Sequence, residues 1–334
     1  MNLPGHPGAS IARARHVPAR AVVLTAGLGT RLRPLSYVRA KAAVPVNGET
    51  LARRAVRWLV SHGICDLVLN LHHLPATITA SVGDGADLGA RVRYSWEQPV
   101  LGSAGGPRRA LPLLAPDDTF LIVNGDTLTD VDVAAMAAAH AESGAAVTMA
   151  LIPNPRPDKY GGVEVEQQRW VSGFSRAGGT RDSYHFVGVQ IVAARVFAGL
   201  ADGVPAETVN AVYPALIRRE RHAIAAFIST ASFRDIGTAS DYLKTSAELA
   251  AIEGNRMTSG ARTRIDPSAS VVRTALWDDV TIGAGAELVD CVVADGVTIP
   301  DGARYHRCAI VRGGGRTPQP RERSDGDLLI GEIG

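Results

Sequence analysis

From residue 265 onward, the same pattern returns every 17 positions. IDPSA, IGAGA and IPDGA begin at Ile265, Ile282 and Ile299. Val271, Leu288 and Tyr305 keep the same spacing, as do Leu276, Val293 and Ile310, and Cys291 with Cys308. An apolar residue every five or six positions, followed by small or turn-forming residues, is the period of a hexapeptide β-helix. In that fold three short strands complete one triangular coil, and stacked coils share a core. Roughly three coils fit between Thr263 and Arg312. The two cysteines then stack on neighbouring coils as small core fillers, with neither a disulfide nor a metal pair expected.

Upstream, apolar runs alternate with helix-like stretches. Residues 21–26, 65–71, 90–97, 120–126 and 145–152 read as strands, and residues 49–63, 103–114 and 132–141 as helices. Alternation of this kind predicts an α/β fold, a Rossmann-like and mostly parallel sheet with helices on both faces. Ligands of such sheets sit beyond the carboxyl ends of the strands, so motifs that directly follow strands share one rim. Beyond residue 160 the pattern loosens into YGGVEVE and HFVGVQIV, read as an antiparallel insertion walling that rim. Residues 205–253 read as largely helical apart from AIAAFIS and FRDIG. The expected organisation is a flexible tail over 1–19, a first domain over 20–253, a linker near 254–260, a β-helix over 261–312 and a disordered tail over 313–334.

Charge and cysteine usage narrow the function. The 334 residues carry 35 Lys+Arg against 33 Asp+Glu, a net charge of +2, so no broad field favours a nucleic acid or an anionic membrane as main partner. Three cysteines without CxxC spacing, no long apolar run and no signal-peptide pattern lead us to expect a cytoplasmic protein. Among the 35 basic residues only Lys41, Lys159 and Lys244 are lysines.

The first strand runs into GLGTRLRP, residues 27–34. Two glycines let the backbone curl around an anion, while Arg31 and Arg33 supply charge for phosphate oxygens. The Walker pattern is absent. A dinucleotide fingerprint is only partly present: its third glycine is Leu32, and the next strand ends in Asn70, Leu71 and His72 in place of an acidic ribose anchor. Read alone, the loop leaves a plain structural turn open.

Its continuation narrows the choice. LTAGLGTRLRPLS followed by KAAVPVNG (41–48) resembles the signature of the sugar-1-phosphate nucleotidyltransferases, of the mannose-1-phosphate guanylyltransferase type. The resemblance continues through LGSAGG (101–106), NGD (124–126), YGGVE (160–164) and FRDIGT (233–238). Members of this family often end in a left-handed β-helix, which agrees with the repeat found independently.

The resemblance implies transfer of a nucleotidyl group from an NTP to a sugar 1-phosphate, with Mg²⁺ as cofactor. It places Ala26, Gly27, Gly29, Thr30 and Arg31 on the nucleotide, and Asp126 and Asp235 on the metal. Lys41 joins Arg31 on the reacting phosphates. Glu97 sits where the family reads the base, and a carboxylate suits the adjacent N1–H and N2–H₂ donors of guanine, favouring GTP; it also accepts from uracil N3–H. Gly102 and Gly105 are expected to admit the base. Gly162, Glu164, Arg176 and Gly188 are expected around the sugar phosphate. The chain departs from the family where Ala40 and Ala42 replace the prolines of PKP, where Phe233 replaces a tryptophan, and where Ser175, Arg176 and Ala177 replace an EKP triplet. His72, His73 and His185 lack metal-ligand spacing and read as satisfied or solvent-facing. The other readings are a uridylyltransferase acting on an N-acetylated sugar 1-phosphate and a catalytically silent subunit that binds an NDP-sugar. Three coils are too few for a second active site, so the β-helix is expected to serve assembly, as in a homo-oligomer, or allostery.

Overall fold

The computed structural model describes residues 16–114, 119–178, 183–254 and 259–334. Most of the expected N-terminal tail and part of the expected linker lie outside these residues. The described chain gathers into two compact units. The first holds 16–27, Arg54–His72 and Val82–Phe233; the second holds Leu28–Arg53, His73–Ser81 and Arg234–Gly334. A reading that kept 20–253 together does not anticipate this division. Residues 28–53 are tied to the C-terminal coils through Arg39, which bonds to Asp278 and Asp295, and residues 73–81 are tied to 28–53 through His73, Thr77 and Ser81.

Nine strands make the sheet of the first unit: β1 (Arg20–Leu24), β2 (Asp66–Leu71), β3 (Arg91–Trp96), β4 (Thr119–Asn124), β5 (Val147–Pro153), β6 (Gly162–Glu166), β7 (Trp170–Ser175), β8 (Tyr184–Ala193) and β9 (Ile224–Ile228). Their order is β3-β2-β1-β4-β8-β5-β9-β7-β6. β1 lies between β2 and β4 and is parallel to both, with Val22 level with Val68 and Ile122. Its apolar run is buried, as a strand covered on both faces requires.

The expected mostly parallel sheet is corrected to a mixed one. β8 enters antiparallel between β4 and β5, and β6 and β7 pair antiparallel with each other. The segment beyond residue 160 therefore extends the same sheet and does not form a separate wall. Ten residues of β8, nearly all buried after Phe186, are long and apolar enough to pair along both edges.

The longer helices are α1 (Leu51–Ser61), α2 (Pro75–Val82), α3 (Gly102–Leu114), α4 (Val133–Ser143), α5 (Tyr213–Arg219) and α6 (Ala239–Ile252). α3 packs on β1, β2 and β3, and α4 on β5 and β9. Asp132 caps α4 by accepting from Ala135 N at 2.8 Å, and Gly144 ends it at φ 64°. Val22, Phe120, Ile122, Val147 and Ile224 belong to one buried cluster. Asp66 ties three strands together through Arg20, Arg91 and Arg93. Burial alone would raise its carboxyl pKa, but the arginine hydrogen bonds outweigh burial and hold it at about 2.

In the second unit the repeat becomes three parallel ladders. Ile265 pairs with Ile282 and Ile282 with Ile299; Val271, Leu288 and Tyr305 align, as do Leu276, Val293 and Ile310. This arrangement is consistent with stacked β-helical coils. Corner residues turn through the left-handed region: Arg273, Asp290 and Arg307 have φ of 45°, 54° and 51°. Non-glycine residues pay strain there, and at this corner Arg273 forks onto Asp290 of the next coil at 2.6 and 2.7 Å. Cys291 and Cys308 lie in the coil core with Leu288 and Ile310.

The expected disorder over 313–334 is also corrected. Residues Leu328–Glu332 pair antiparallel with Cys308–Arg312, and Glu322–Asp325 add a further strand. Leu328, Leu329 and Ile330 are buried. The apolar run DLLIGEI covers the open edge that the last coil would otherwise present, which the Gly, Pro and charge content around it obscured.

Candidate functional site

In the first unit the parallel register brings the carboxyl ends of β1, β2, β3 and β4 to one rim. Leu24 is level with Asn124, and Asn70 with Ser95. Thr25, Asn70, Glu97 and Asp126 all follow or end these strands.

The rim is organised by Asn70, which sequence reading considered only as a missing acid. Its carbonyl oxygen accepts from Thr25 N at 2.6 Å and Ala26 N at 3.3 Å, and the Thr25 hydroxyl donates to the Asn70 main-chain oxygen. Its amide donates to Glu97 Oε1 at 2.7 Å. Glu97 Oε2 accepts from Leu101 N at 2.8 Å, and the Glu97 side chain is only slightly exposed. Each carboxylate oxygen keeps a further lone-pair site. His72 Nδ1 lies 3.0 Å from the Glu97 main-chain oxygen, which fixes that ring against the same turn.

Several glycines of the expected site lie in close contact with other segments of the protein. A Cβ on Gly102 would collide with Glu207, and one on Gly105 would stand 2.8 Å from the Val204 carbonyl. Segment 204–207 thus packs against the first turn of α3. Ala206 O also accepts from Ala104 N and Gly105 N, and Glu207 accepts from the Ser103 hydroxyl at 2.6 Å, so the first turn of α3 is already satisfied. Gly106 faces the Asn70–Glu97 pair: an added Cβ would stand 2.7 Å from Glu97 Oε1 and 2.9 Å from Asn70 Nδ2.

Gly188 makes room for Asn124, whose Nδ2 would lie 2.9 Å from an added Cβ, and Gly162 for Ser183 and Ser175. Glu164 lies on β6 beside Gly173, and Arg176 is exposed just past β7. Asp126 is half-buried next to the end of β1: Gly125 N donates to Leu24 O at 2.9 Å, and Thr127 Oγ1 lies 3.4 Å from Asp126 Oδ1.

His185 departs from expectation. Its ring sits 4.5 Å from Tyr160 and 4.4 Å from Phe233, and neither ring nitrogen has a hydrogen-bond partner among the described residues. Burial pushes its pKa down to about 4.

The second unit carries the rest of the Gly-rich loop. Gly29 adopts φ 61°, and its carbonyl accepts from the Ser36 hydroxyl at 2.8 Å and Leu32 N at 2.9 Å. Leu32 and Leu35 are fully buried while Arg31 and Arg33 are exposed, so the turn is anchored by leucine and presents arginine. Arg31, Arg33, Thr30, Thr238 and Arg321 line a cleft of about 580 Å³.

Lys41 and Asp235 meet in this unit with Nζ 3.7 Å from Oδ1, their side chains 12% and 14% exposed. Gly237 lies against both Asp235 and Arg31: an added Cβ would be 3.0 Å from Asp235 Oδ2 and 3.2 Å from Arg31 Nη1. Asp235 therefore pairs with Lys41 and shares the Gly237 turn with Arg31.

A family model described as nucleotidyl transferase matches residues 20–252. The chain belongs to the nucleotidyl transferase family. Among its relatives, the mannose-1-phosphate guanylyltransferase of Mycobacterium tuberculosis is 29% identical over 301 residues, covering 87% of this chain and 83% of its own. The N-acetylmuramate alpha-1-phosphate uridylyltransferase of Neisseria meningitidis is 39% identical over 117 residues, covering 35% of this chain and 50% of its own. The crystal structure of HddC from Yersinia pseudotuberculosis is similar in fold, with a TM-score of 0.61, 21% identity, and coverage of 69% of this chain and 99% of that one.

For a nucleotidyl transferase the metal question is one of donor type. Among the described residues no group of three or more His, Cys, Asp or Glu could cage an ion. Mg²⁺ does not need such a cage: one or two carboxylates suffice when substrate phosphates and water complete the shell. Asp126 in the first unit and Asp235 in the second are each a hard oxygen donor of the type Mg²⁺ takes, and neither is fully buried.

Proposed function

We propose that the protein transfers a nucleotidyl group, with GTP as the favoured donor, to a sugar 1-phosphate, giving an NDP-sugar and pyrophosphate. The observation that carries this reading is the placement of Asp235, which pairs with Lys41 and shares the Gly237 turn with Arg31. An oxygen of the sugar phosphate attacks the α-phosphorus in line; the bond to the β-phosphate oxygen breaks and its electrons leave with pyrophosphate. Two anions must approach, so fixed positive charge and positioning supply most of the rate. Lys41 neutralises the reacting phosphates, and Arg31 holds the departing ones beside the Gly29 turn. Asp126 and Asp235 are the proposed ligands of Mg²⁺, which supplies Lewis-acid neutralisation of phosphate charge when bound. Ala26, Gly27, Gly29 and Thr30 are assigned to the nucleotide, and Glu164 and Arg176 to the sugar phosphate.

GTP is favoured because Asn70 and Leu101 N hold the Glu97 carboxylate in one orientation with acceptor sites to spare, suited to the paired donors of guanine. The long match to the mycobacterial guanylyltransferase agrees, and a GDP-mannose or GDP-heptose-like product follows. A uridylyltransferase is the second reading, supported by the 39% identity to the Neisseria enzyme over 117 residues. A silent subunit is disfavoured by the retained Arg31, Lys41, Asp126 and Asp235. No helix among the described residues is long and apolar enough to cross a membrane. We also assign the coils to a left-handed β-helix that assembles copies of the chain; Ile265 and Val272 are exposed there.

The test is pyrophosphate release from each NTP with a panel of sugar 1-phosphates. Turnover fastest with GTP and mannose 1-phosphate or a heptose 1-phosphate is expected. Preference for UTP selects the second reading, and NDP-sugar binding without turnover by any pair overturns catalysis.

A further inference from the structure

We propose that Arg39 is a positioning residue for Lys41, tying the loop that carries it to two successive coils; this rests on the assignment of Lys41 to the reacting phosphates. Lys41 opens a short 3₁₀ turn, Lys41–Ala43, entered from Arg39 and Ala40 and left through Val44 and Pro45. Ala40, Ala42, Ala43 and Val44 are buried, and no proline fixes the backbone at 40 or 42. Small buried residues hold the turn inside but do not define where along the surface it sits. Its two ends are tied to the coils.

At the entry, Arg39 Nε and Nη2 donate to Asp295 at 2.6 and 2.8 Å, and Nη2 also donates to Asp278 at 2.6 Å. The guanidinium lies 5.5 Å from the Trp277 ring. Asp278 and Asp295 are 17 residues apart and occupy the same place on successive coils, joined by Asp278 N to Asp295 Oδ1 at 3.1 Å. At the exit, the Tyr242 hydroxyl donates to the Pro45 carbonyl and accepts from Trp277 Nε1 at 2.9 Å. Both ends of the lysine turn are thus referenced to Trp277 and its neighbours.

Residue type matters here. A planar fork reaches two carboxylates at once, which an ammonium does not reproduce. Burial on its own would lower the Arg39 pKa, and the bonds to Asp295 and Asp278 outweigh it, so the side chain remains a cation. On this argument the coils are part of the catalytic framework as well as a surface for assembly.

A double-mutant cycle on the full chain tests it, using Arg39→Ala, Lys41→Ala and the pair, with kcat and KM for both substrates. A displaced lysine turn is expected to lower kcat/KM about 10²-fold in the Lys41 background, since a misplacement of about 1 Å costs that much. In the Lys41→Ala background the same change is expected to cost less than about twofold, because additivity fails for coupled residues. Equal losses in both backgrounds overturn the proposal while leaving the function intact. A Lys41→Ala variant with undiminished activity overturns the lysine assignment itself. Asp295→Asn, nearly isosteric, repeats the cycle should Arg39→Ala not fold, and the same two outcomes apply.

Discussion

Gly29 and Lys41 lie against each other in a space that only glycine leaves open. A Cβ on Gly29 would stand 3.2 Å from Lys41 Cβ and 3.2 Å from Ser36 Cβ, at a φ of 61°. Gly29→Ala therefore strains the backbone by about 1 kcal/mol and pushes on the lysine. We expect a modest fall in melting temperature but a loss of kcat of at least about tenfold, since the lysine proposed for the reacting phosphates is displaced. Parallel melting curves and steady-state kinetics check this; equal activity would separate the turn from catalysis.

The Asn70 side chain accepts from Thr25 N and Ala26 N and donates to Glu97, a combination that no isostere repeats. Asn70→Asp keeps the acceptor for Thr25 N but replaces the donor toward Glu97 by a second carboxylate. Like charges in a buried place are expected to cost about 2 to 4 kcal/mol of stability. Urea denaturation near neutral pH measures it, and the deficit should shrink in acid as one carboxyl takes a proton.

His185 predicts a pH dependence. Its folded pKa is about 4 against an ordinary 6.5, so above 6.5 both states are neutral and the full stability is present. As pH falls below 6.5 the unfolded chain binds a proton that the folded chain refuses, and stability is lost until about pH 4. With allowance for partial exposure the loss is about 2 kcal/mol. His185→Phe should flatten that part of the stability curve between the two values; an unchanged slope would assign it to other groups.

The thiols should divide by burial. Cys65 is exposed, whereas Cys291 and Cys308 are buried and free, and burial pushes the Cys291 thiol up to about 11. An aromatic disulfide reagent at pH 8 is expected to react quickly with Cys65 and with the other two only after denaturation. Cys65→Ser should abolish the rapid phase.

Strand positions, the 17-residue coils and the motifs at strand ends were legible because each depends on local pattern. Apolar runs predict β1 to β5 within a few residues, and a period of 17 fixes which side chains stack whatever else the chain does. Pairing order was not legible. β8 is as apolar as a parallel strand, and only competition among long-range partners decided that it runs antiparallel between β4 and β5. The same holds for Leu328 to Ile330, which look like tail residues until the exposed edge of the last coil is there to be covered.

At the candidate site the sequence by itself determined the chemistry on offer: arginines in a glycine turn, one rare lysine, and aspartates after strands. Only the tertiary structure decided how each is held. Asn70 and Arg39 carry no signature, because a neutral amide or an arginine acquires its role only from the partners folding brings within 3 Å. Gly102 and Gly188 show the reverse: their freedom is visible in the sequence, but what occupies the space beside them, Glu207 or Asn124, is settled by packing between segments distant in the chain.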